Sequence, residues 1–291
     1  MAKERLDVLL VARGLAESRA QAQRLVMAGQ VRVNGQIVLK AATNIPSDVS
    51  IALDKRPQFV SRGGEKLEAA FRAFEINVQD LCCADVGAST GGFTDCLLQH
   101  GAKQVFAIDV GRGILDWKLR QDARVVVMEE TNARFVERLL QPVDLVTIDA
   151  SFISLKILLP VVKGWQHPLG VRETGMEVIA LIKPQFEAGR ALVARGKGVI
   201  RDPLVHQQVV AEVLGFAQTI GYSLHGLIRS PVLGPKGNVE FLAYLRTPAQ
   251  AGMTPQELLE RCFVQEGSES AALVVSRQKG LAGEDDNDEH A

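Results

Sequence analysis

The run Ala84-Asp85-Val86-Gly87-Ala88-Ser89-Thr90-Gly91-Gly92-Phe93-Thr94 carries an apolar stretch into a glycine-rich turn and then into residues with helical spacing. Glycines permit tight turns and let a ligand lie against the backbone. The carboxyl end of the first strand of a parallel sheet is where such a ligand sits. The spacing is G-x-x-x-G-G, not the G-x-G-x-x-G of dinucleotide sites. The next apolar stretch ends in Ala107-Ile108-Asp109-Val110-Gly111. A carboxylate about 20 residues after such a turn can hold the ribose hydroxyls of a nucleoside cofactor. A nicotinamide dinucleotide satisfies this geometry as well. Asn132, in Glu130-Thr131-Asn132, ends the third stretch. It either reaches an adenine or caps a helix beginning at Ala133.

Further charged residues fall at the same end of the predicted elements. Asp149 ends the fourth stretch in Val146-Thr147-Ile148-Asp149-Ala150-Ser151-Phe152, and Lys183 ends the fifth in Ile179-Ala180-Leu181-Ile182-Lys183-Pro184-Gln185-Phe186. Glu240 opens the last, after the loop Gly234-Pro235-Lys236-Gly237-Asn238, and Lys66 follows Ser61-Arg62-Gly63-Gly64-Glu65 at the start of a helix. A lone charge at a strand end is usually solvated; Lys183 follows a continuous apolar run, which favours burial. Ser61–Gly64 with Arg62 can form a backbone nest for a phosphate. Arg195, Lys197 and Arg201 make a basic, glycine-containing loop, and Asp202-Pro203 after it reads as a helix start.

Positioning these residues requires alternating elements. Strand-like runs span 81–86, 104–110, 124–130, 145–150, 177–183, 223–232 and 240–246, with helical segments expected over 90–100, 114–119, 133–140, 154–162 and 203–220. Such alternation predicts an α/β fold, a mainly parallel sheet with helices on both faces. The last two strands lack an intervening helix and are expected to pair as an antiparallel edge. At 291 residues the chain is expected to hold about two domains.

Residues 1–60 read as a separate α+β unit. Leu6, Leu9 and Leu10 have helical spacing and Gly14 supplies a stop. Ser18 can cap a second helix over 19–28 that turns Ala22, Leu25 and Val26 inward and ends at Gly29. Asn34-Gly35 between alternating residues predicts a hairpin. This head carries nine Lys/Arg against five acids, whereas the last eight residues carry five acids and no base. A basic head suits a polyanionic partner, and the acidic end reads as a solvated tail.

Hydrophobic residues make up 47% and charged residues 23% of the chain, enough for a packed core and unlike a fibrous or disordered protein. No apolar stretch reaches the roughly 20 residues of a membrane-spanning helix, and no signal-type region follows the first residues. Cys82, Cys83, Cys96 and Cys262 form no CxxC pair and histidine is scattered, so no metal site is expected. Cys82 and Cys83 read as buried thiols, which suits a reducing cytoplasm.

RLDVLLVARGLAESRAQAQRLVMAGQVRVNG resembles the S-four RNA-binding domain, over about residues 3–60. The resemblance implies phosphate contacts for Arg5, Arg13, Arg19, Arg24 and Arg32, which position RNA more than they read its sequence. The set Lys66, Asp149, Lys183 and Glu240 resembles the Lys-Asp-Lys-Glu tetrad of ribose 2′-O-methyltransferases of the FtsJ/RrmJ type. With S-R-G-G-E-K-L, D-V-G-A-S-T-G-G-F-T-D, I-D-A-S-F-I-S and I-K-P-Q-F-E, the chain through about residue 247 resembles the TlyA family of rRNA cytidine-2′-O-methyltransferases, historically called haemolysins.

The resemblance implies a Rossmann-like methyltransferase domain over 61–247, an extension over 248–291, S-adenosyl-L-methionine as methyl donor and ribosomal RNA as partner. Cofactor contacts carry over to Asp85, Gly87, Ser89, Gly91, Gly92 and Phe93, beside Asp109 and Asn132. A ribose hydroxyl is a poor nucleophile, so the site must align it with the donor and help remove its proton. Burial and a neighbouring cation make an ammonium easier to deprotonate. Lys183 is the expected general base or alkoxide stabiliser. Asp149 would orient it, Lys66 would be the second cation and hold the target nucleotide, and Glu240 would fix one of the lysines. Alternatives are a non-catalytic RNA-binding or ribosome-assembly factor, a pore-forming cytolysin, for which no secretion signal or insertion element is found, and a NAD dehydrogenase. Base N-methylation fits less well, because Asp149-Ala150-Ser151-Phe152 stands where an Asn/Asp-Pro-Pro-aromatic motif is used.

Overall fold

A computed structural model gives the architecture. It describes residues 3–27, 29–53, 58–168, 175–189, 196, 198–234 and 236–263. The chain divides into two compact units, Met1–Gln58 and Phe59–Ala291.

In the first unit, β1 (Lys3–Arg5) leads into α1 (Leu6–Ala12), followed by α2 (Arg19–Met27), β2 (Val31–Val33), β3 (Gln36–Ile37), β4 (Asn44–Pro46) and β5 (Ile51–Leu53). β1 pairs with β4, and β2 lies between β3 and β5, all antiparallel. Leu6, Leu9, Leu10, Ala22 and Val26 bury against Val31 and Ile45, the inward faces expected from their spacing. Asn34 and Gly35 both take positive φ, 50° and 82°, as the tight hairpin turn demands.

The second unit opens with α3 (Gly63–Phe74). Its sheet is built from β6 (Cys82–Val86), β7 (Gln104–Ile108), β8 (Val125–Met128), β9 (Leu145–Ile148), β10 (Met176–Ile182), β11 (Ser223–Arg229) and β12 (Phe241–Thr247). Around it stand α4 (Gly92–Gln99), α5 (Trp117–Arg120), α6 (Leu155–Lys163), α7 (Pro184–Glu187) and α8 (Pro203–Thr219). The strand order is β11-β12-β10-β9-β6-β7-β8. The five strands from β10 to β8 are parallel, and β12 runs antiparallel to both β10 and β11. The expected antiparallel pair is present, but β12 sits inside the sheet and β11 forms the edge. Chain order reverses between β6 and β9, and the crevice beyond such a switch point is where an open parallel sheet binds its ligand.

Alternation along β6 feeds both faces. Cys82, Ala84 and Val86 pack with α6 and α8 through Leu158, Leu159, Val210 and Leu214. Cys83 packs with α3 and α4 through Leu67, Phe71, Cys96 and Leu97. Cys82, Cys83 and Cys96 are buried thiols, none of them in a disulfide.

Two expected helices shrink. Over 114–119 the helix starts only at Trp117, with Asp116 as its N-cap accepting from Lys118 N, while the backbone N–H groups of Gly113, Ile114 and Leu115 donate to the Glu129 carboxylate. Over 133–140 only a 3-10 turn, Ala133–Phe135, forms. Ala133 is buried and Val136 and Leu139 pack against the core, while Phe135 and Leu140 are exposed. Part of the C-terminal extension belongs to the core: residues 255–263 are helical, Leu258 is buried, and Met253 bridges to Leu224. The acidic tail lies outside the described residues. Among the described residues no helix is long and apolar enough to cross a membrane.

Candidate active site

Gly87 follows β6 with φ of 85°, and a Cβ there would come within 2.7 Å of the Asp149 carbonyl oxygen. Only glycine lets the first strand's turn close on the end of the fourth. At the other side of the turn, a Cβ on Gly92 would meet Ser61 Oγ at 2.3 Å and Gly64 N at 2.8 Å. This bare contact brings the start of α3, and hence Lys66, against the start of α4.

Four charged side chains then converge. Lys66 Nζ donates to Glu240 Oε2 at 2.6 Å and lies 3.9 Å from Asp149 Oδ2. Lys183 Nζ lies 2.6 Å from Asp149 Oδ1 and donates to Ser151 Oγ at 3.0 Å. Lys66, Lys183 and Glu240 are buried, while the Asp149 side chain keeps 20% of its surface. All four line a cleft of about 290 Å³ together with Arg62 and Ser89.

A second cleft of about 630 Å³ shares Gly87, Ser89, Asp149 and Ser151 with the first. Ile108, Val110, Ala133 and Leu158 give it apolar walls, and Asp109 and Asn132 give it polar ones. Both Asp109 oxygens accept backbone N–H bonds, from Ser89 at 2.8 Å and Gly111 at 2.7 Å. The carboxylate is thus held by the glycine turn and its own loop at the cleft wall. Asn132 Oδ1 accepts from Arg134 N at 3.2 Å, so this residue caps the 3-10 turn and also lines the cleft. The apolar walls, the fixed carboxylate and the glycine backbone suit a nucleoside with a charged tail.

Two expected cofactor residues are placed differently. Asp85 is fully buried, accepting from Thr94 at 2.7 Å and Thr147 at 3.1 Å, and lines neither cleft, because it points to the α4 face of β6. Burial pushes its pKa up to about 7, opposed by the threonine hydroxyls and reinforced by the Asp149 charge. Gly91 lines neither cleft either; with φ of 96° and Leu119 packed on it, it shapes the turn. Gly92 and Phe93 do line the first cleft.

The arginines of the first unit are less free than their exposure suggests. Asp7, buried, takes Arg5 at 2.8 Å and Arg19 at 3.2 Å, and the Arg5 guanidinium holds its carboxyl well below the usual range. Arg13 donates to the carbonyls of Ser47 and Val49, and Arg32 to that of Gly35. Arg24 and Arg201 are exposed. Arg195 and Lys197 lie outside the described residues.

The sequence reading missed three residues. Ser151 contacts Lys183. Glu187 accepts from the Ser154 hydroxyl at 2.5 Å and Leu155 N at 2.7 Å, tying α7 to the loop after Asp149. Buried Gln185 turns its amide nitrogen to Glu240 at 3.5 Å. All three lie in segments singled out above, but an uncharged or distant partner leaves no charge pattern to find.

Residues 59–247 match the FtsJ-like methyltransferase family model, and residues 4–49 match the S4 domain. The chain belongs to the FtsJ-like methyltransferase family. Within that family it is 48% identical over 266 residues to YqxC of Bacillus subtilis, covering 89% of this chain and 90% of that one. It is 43% identical over 260 residues to the 16S/23S rRNA (cytidine-2′-O)-methyltransferase TlyA of Mycobacterium tuberculosis, covering 88% and 94%. A solved structure from Streptococcus thermophilus matches with TM-score 0.67 and 41% identity, covering 93% of this chain and 99% of that one.

Proposed function

We propose that this methyltransferase uses S-adenosyl-L-methionine to methylate a ribose 2′-hydroxyl, that of a cytidine in ribosomal RNA. The supporting observation is the convergence of Lys66, Asp149, Lys183 and Glu240, from four separate parts of the chain, on a cleft continuous with the glycine turn. The relative named as a cytidine-2′-O-methyltransferase of rRNA supports the same substrate.

The donor supplies an electrophilic methyl group on a sulfonium. Asp109 would hold its ribose hydroxyls, the apolar walls of the larger cleft its adenine, and Gly87 and Ser89 its amino-acid end. As the neutral amine Lys183 would take the proton from the 2′-hydroxyl; as the ammonium it would instead stabilise the oxyanion as it forms. Asp149 and Ser151 fix the direction of the Lys183 ammonium. Lys66, held by Glu240, presents a second cation to the target nucleotide. Arg62, beside the cleft, and the exposed Arg24 and Arg201 would contact phosphates, and the S4 domain would dock the RNA. A substrate of this kind places the enzyme in the cytoplasm.

The test is transfer of labelled methyl from S-adenosyl-L-methionine to an rRNA fragment and to the same fragment with 2′-deoxycytidine at the modified position. The ribose form is expected to accept methyl and the deoxy form to accept none; equal labelling of both would overturn the reading.

A further inference from the structure

The stretch Gly198–Ile200, which runs into exposed Arg201, is fastened to the chain on both sides of Glu240. Asn238 is 4% exposed and uses both ends of its amide. Its Oδ1 accepts from the Ile200 N–H at 3.0 Å, and its Nδ2 donates to the Gly198 carbonyl at 3.0 Å. Buried His206 meets the Ile200 carbonyl through Nε2 at 3.0 Å, so that nitrogen carries the proton. The His206 ring stands edge-on to Phe241 at 5.8 Å. Asn238 is two residues before Glu240, and Phe241 is the residue after it.

The loop between is drawn tightly around the carboxylate. Gly234 N donates to the Asn238 carbonyl at 2.9 Å, and Ser230 N donates to the Glu240 carbonyl at 2.8 Å. A Cβ on Gly234 would come within 2.6 Å of Glu240 Oε1. The same loop places Val232 and Leu233 on the cleft wall. An apolar side chain could fill the space of Asn238. A buried amide satisfied at both ends by one neighbouring segment instead fixes the register of that segment.

We infer that Asn238 and His206 are positioning residues that make the Gly198–Arg201 stretch and the Glu240 loop one mechanical unit, so that RNA phosphate engaging Arg201 sets Glu240, and through it Lys66, for methyl transfer. The inference rests on the reading of the site as an RNA methyltransferase. Neither residue lines the cleft or touches the reacting groups; both act through Glu240.

The test compares hydrogen exchange and steady-state kinetics of the full chain with an rRNA substrate. In the wild type, RNA is expected to slow exchange over both 198–201 and 230–240. In Asn238→Ala the protection stops short of 230–240. At saturating donor and RNA its kcat falls at least 10-fold, while donor affinity and the KM for RNA stay within about 3-fold. Asn238→Asp keeps the acceptor for Ile200 but sets a second acceptor against the Gly198 carbonyl, and is expected to be as impaired. His206→Gln, which can still donate to Ile200, is expected to retain kcat where His206→Leu does not. Wild-type kcat in Asn238→Ala, or RNA protection that still reaches 230–240 in it, overturns the inference. If Asn238→Ala does not fold, equal kcat in the two His206 variants overturns it. Failure of the wild type to methylate RNA would instead sink the reading of the site, before any variant is compared.

Discussion

Lys183 Nζ stands 2.6 Å from Asp149 Oδ1, on the carboxylate whose other oxygen faces Lys66 at 3.9 Å. One carboxylate thus holds two ammonium groups without letting them meet. With Glu240 on the far side of Lys66, the cluster carries two positive and two negative charges and can be buried as a neutral set. Deleting any member leaves an uncompensated charge, so effects on chemistry and on stability must be separated by the choice of variant.

Lys183→Ala is expected to lower methyl transfer by about 10²- to 10⁴-fold, the usual contribution of a positioned proton acceptor. Lys183→Arg keeps the ion pair with Asp149, but a guanidinium does not give up its proton, so it is expected to be similarly inactive. Single-turnover rates at saturating donor and RNA check this. A fully active arginine variant would leave Lys183 only an electrostatic role.

Glu240→Ala strands the Lys66 ammonium, and urea unfolding should show a loss of about 3–5 kcal/mol. Replacing both partners, Lys66→Met with Glu240→Met, should recover most of that loss while methyl transfer stays abolished. A double variant as unstable as Glu240→Ala would mean that the pair is held for packing rather than charge balance.

Asp85 gives a pH signature. Its folded-state pKa of about 7 lies above the ordinary 3.8. Between those values the folded chain holds a proton that the unfolded chain has released. Its favourable contribution is therefore complete at low pH and is lost as pH rises through 7, by at most about 1.4 kcal/mol per pH unit for one proton. Asp85→Asn should gain stability relative to wild type between about pH 4 and 7 by up to this slope and level off above pH 7. Parallel curves for the two proteins would show that Asp85 does not titrate there.

Within the S4 domain the arginines should separate by partner. Arg24 is exposed, and Arg24→Ala is expected to weaken RNA binding and reduce the salt slope by about 1. The Arg13 guanidinium is committed to the carbonyls of Ser47 and Val49, so Arg13→Ala should lower the melting temperature and leave the salt slope nearly intact. Binding isotherms at several salt concentrations, paired with thermal melts, distinguish the two.

Much of this arrangement is legible in the chain itself. Alternating apolar runs announce a parallel sheet, and the charged residues at their ends fall on one rim because parallel strands all end on the same side. The Asn34-Gly35 turn and the Asp202-Pro203 helix start are local signals that local chemistry satisfies. What was not legible depends on partners distant in sequence. Glu129, 14–16 residues on, gathers the amides of Gly113, Ile114 and Leu115 into a loop, and the expected helix at 114–119 starts only after Asp116. Asp85 sits in the glycine motif yet faces α4, because strand alternation turns it away from the cleft. Burial does not follow from composition either: Arg5 and Arg19 look like free surface charges until Asp7 is found beneath them.

The most direct test is to map 2′-O-methyl groups on rRNA incubated with S-adenosyl-L-methionine and either the purified wild-type protein or Lys183→Ala. The expected result is a new 2′-O-methyl group at discrete cytidines with the wild type and none with the variant. Methyl groups on bases, or the same ribose pattern from both proteins, would contradict the account.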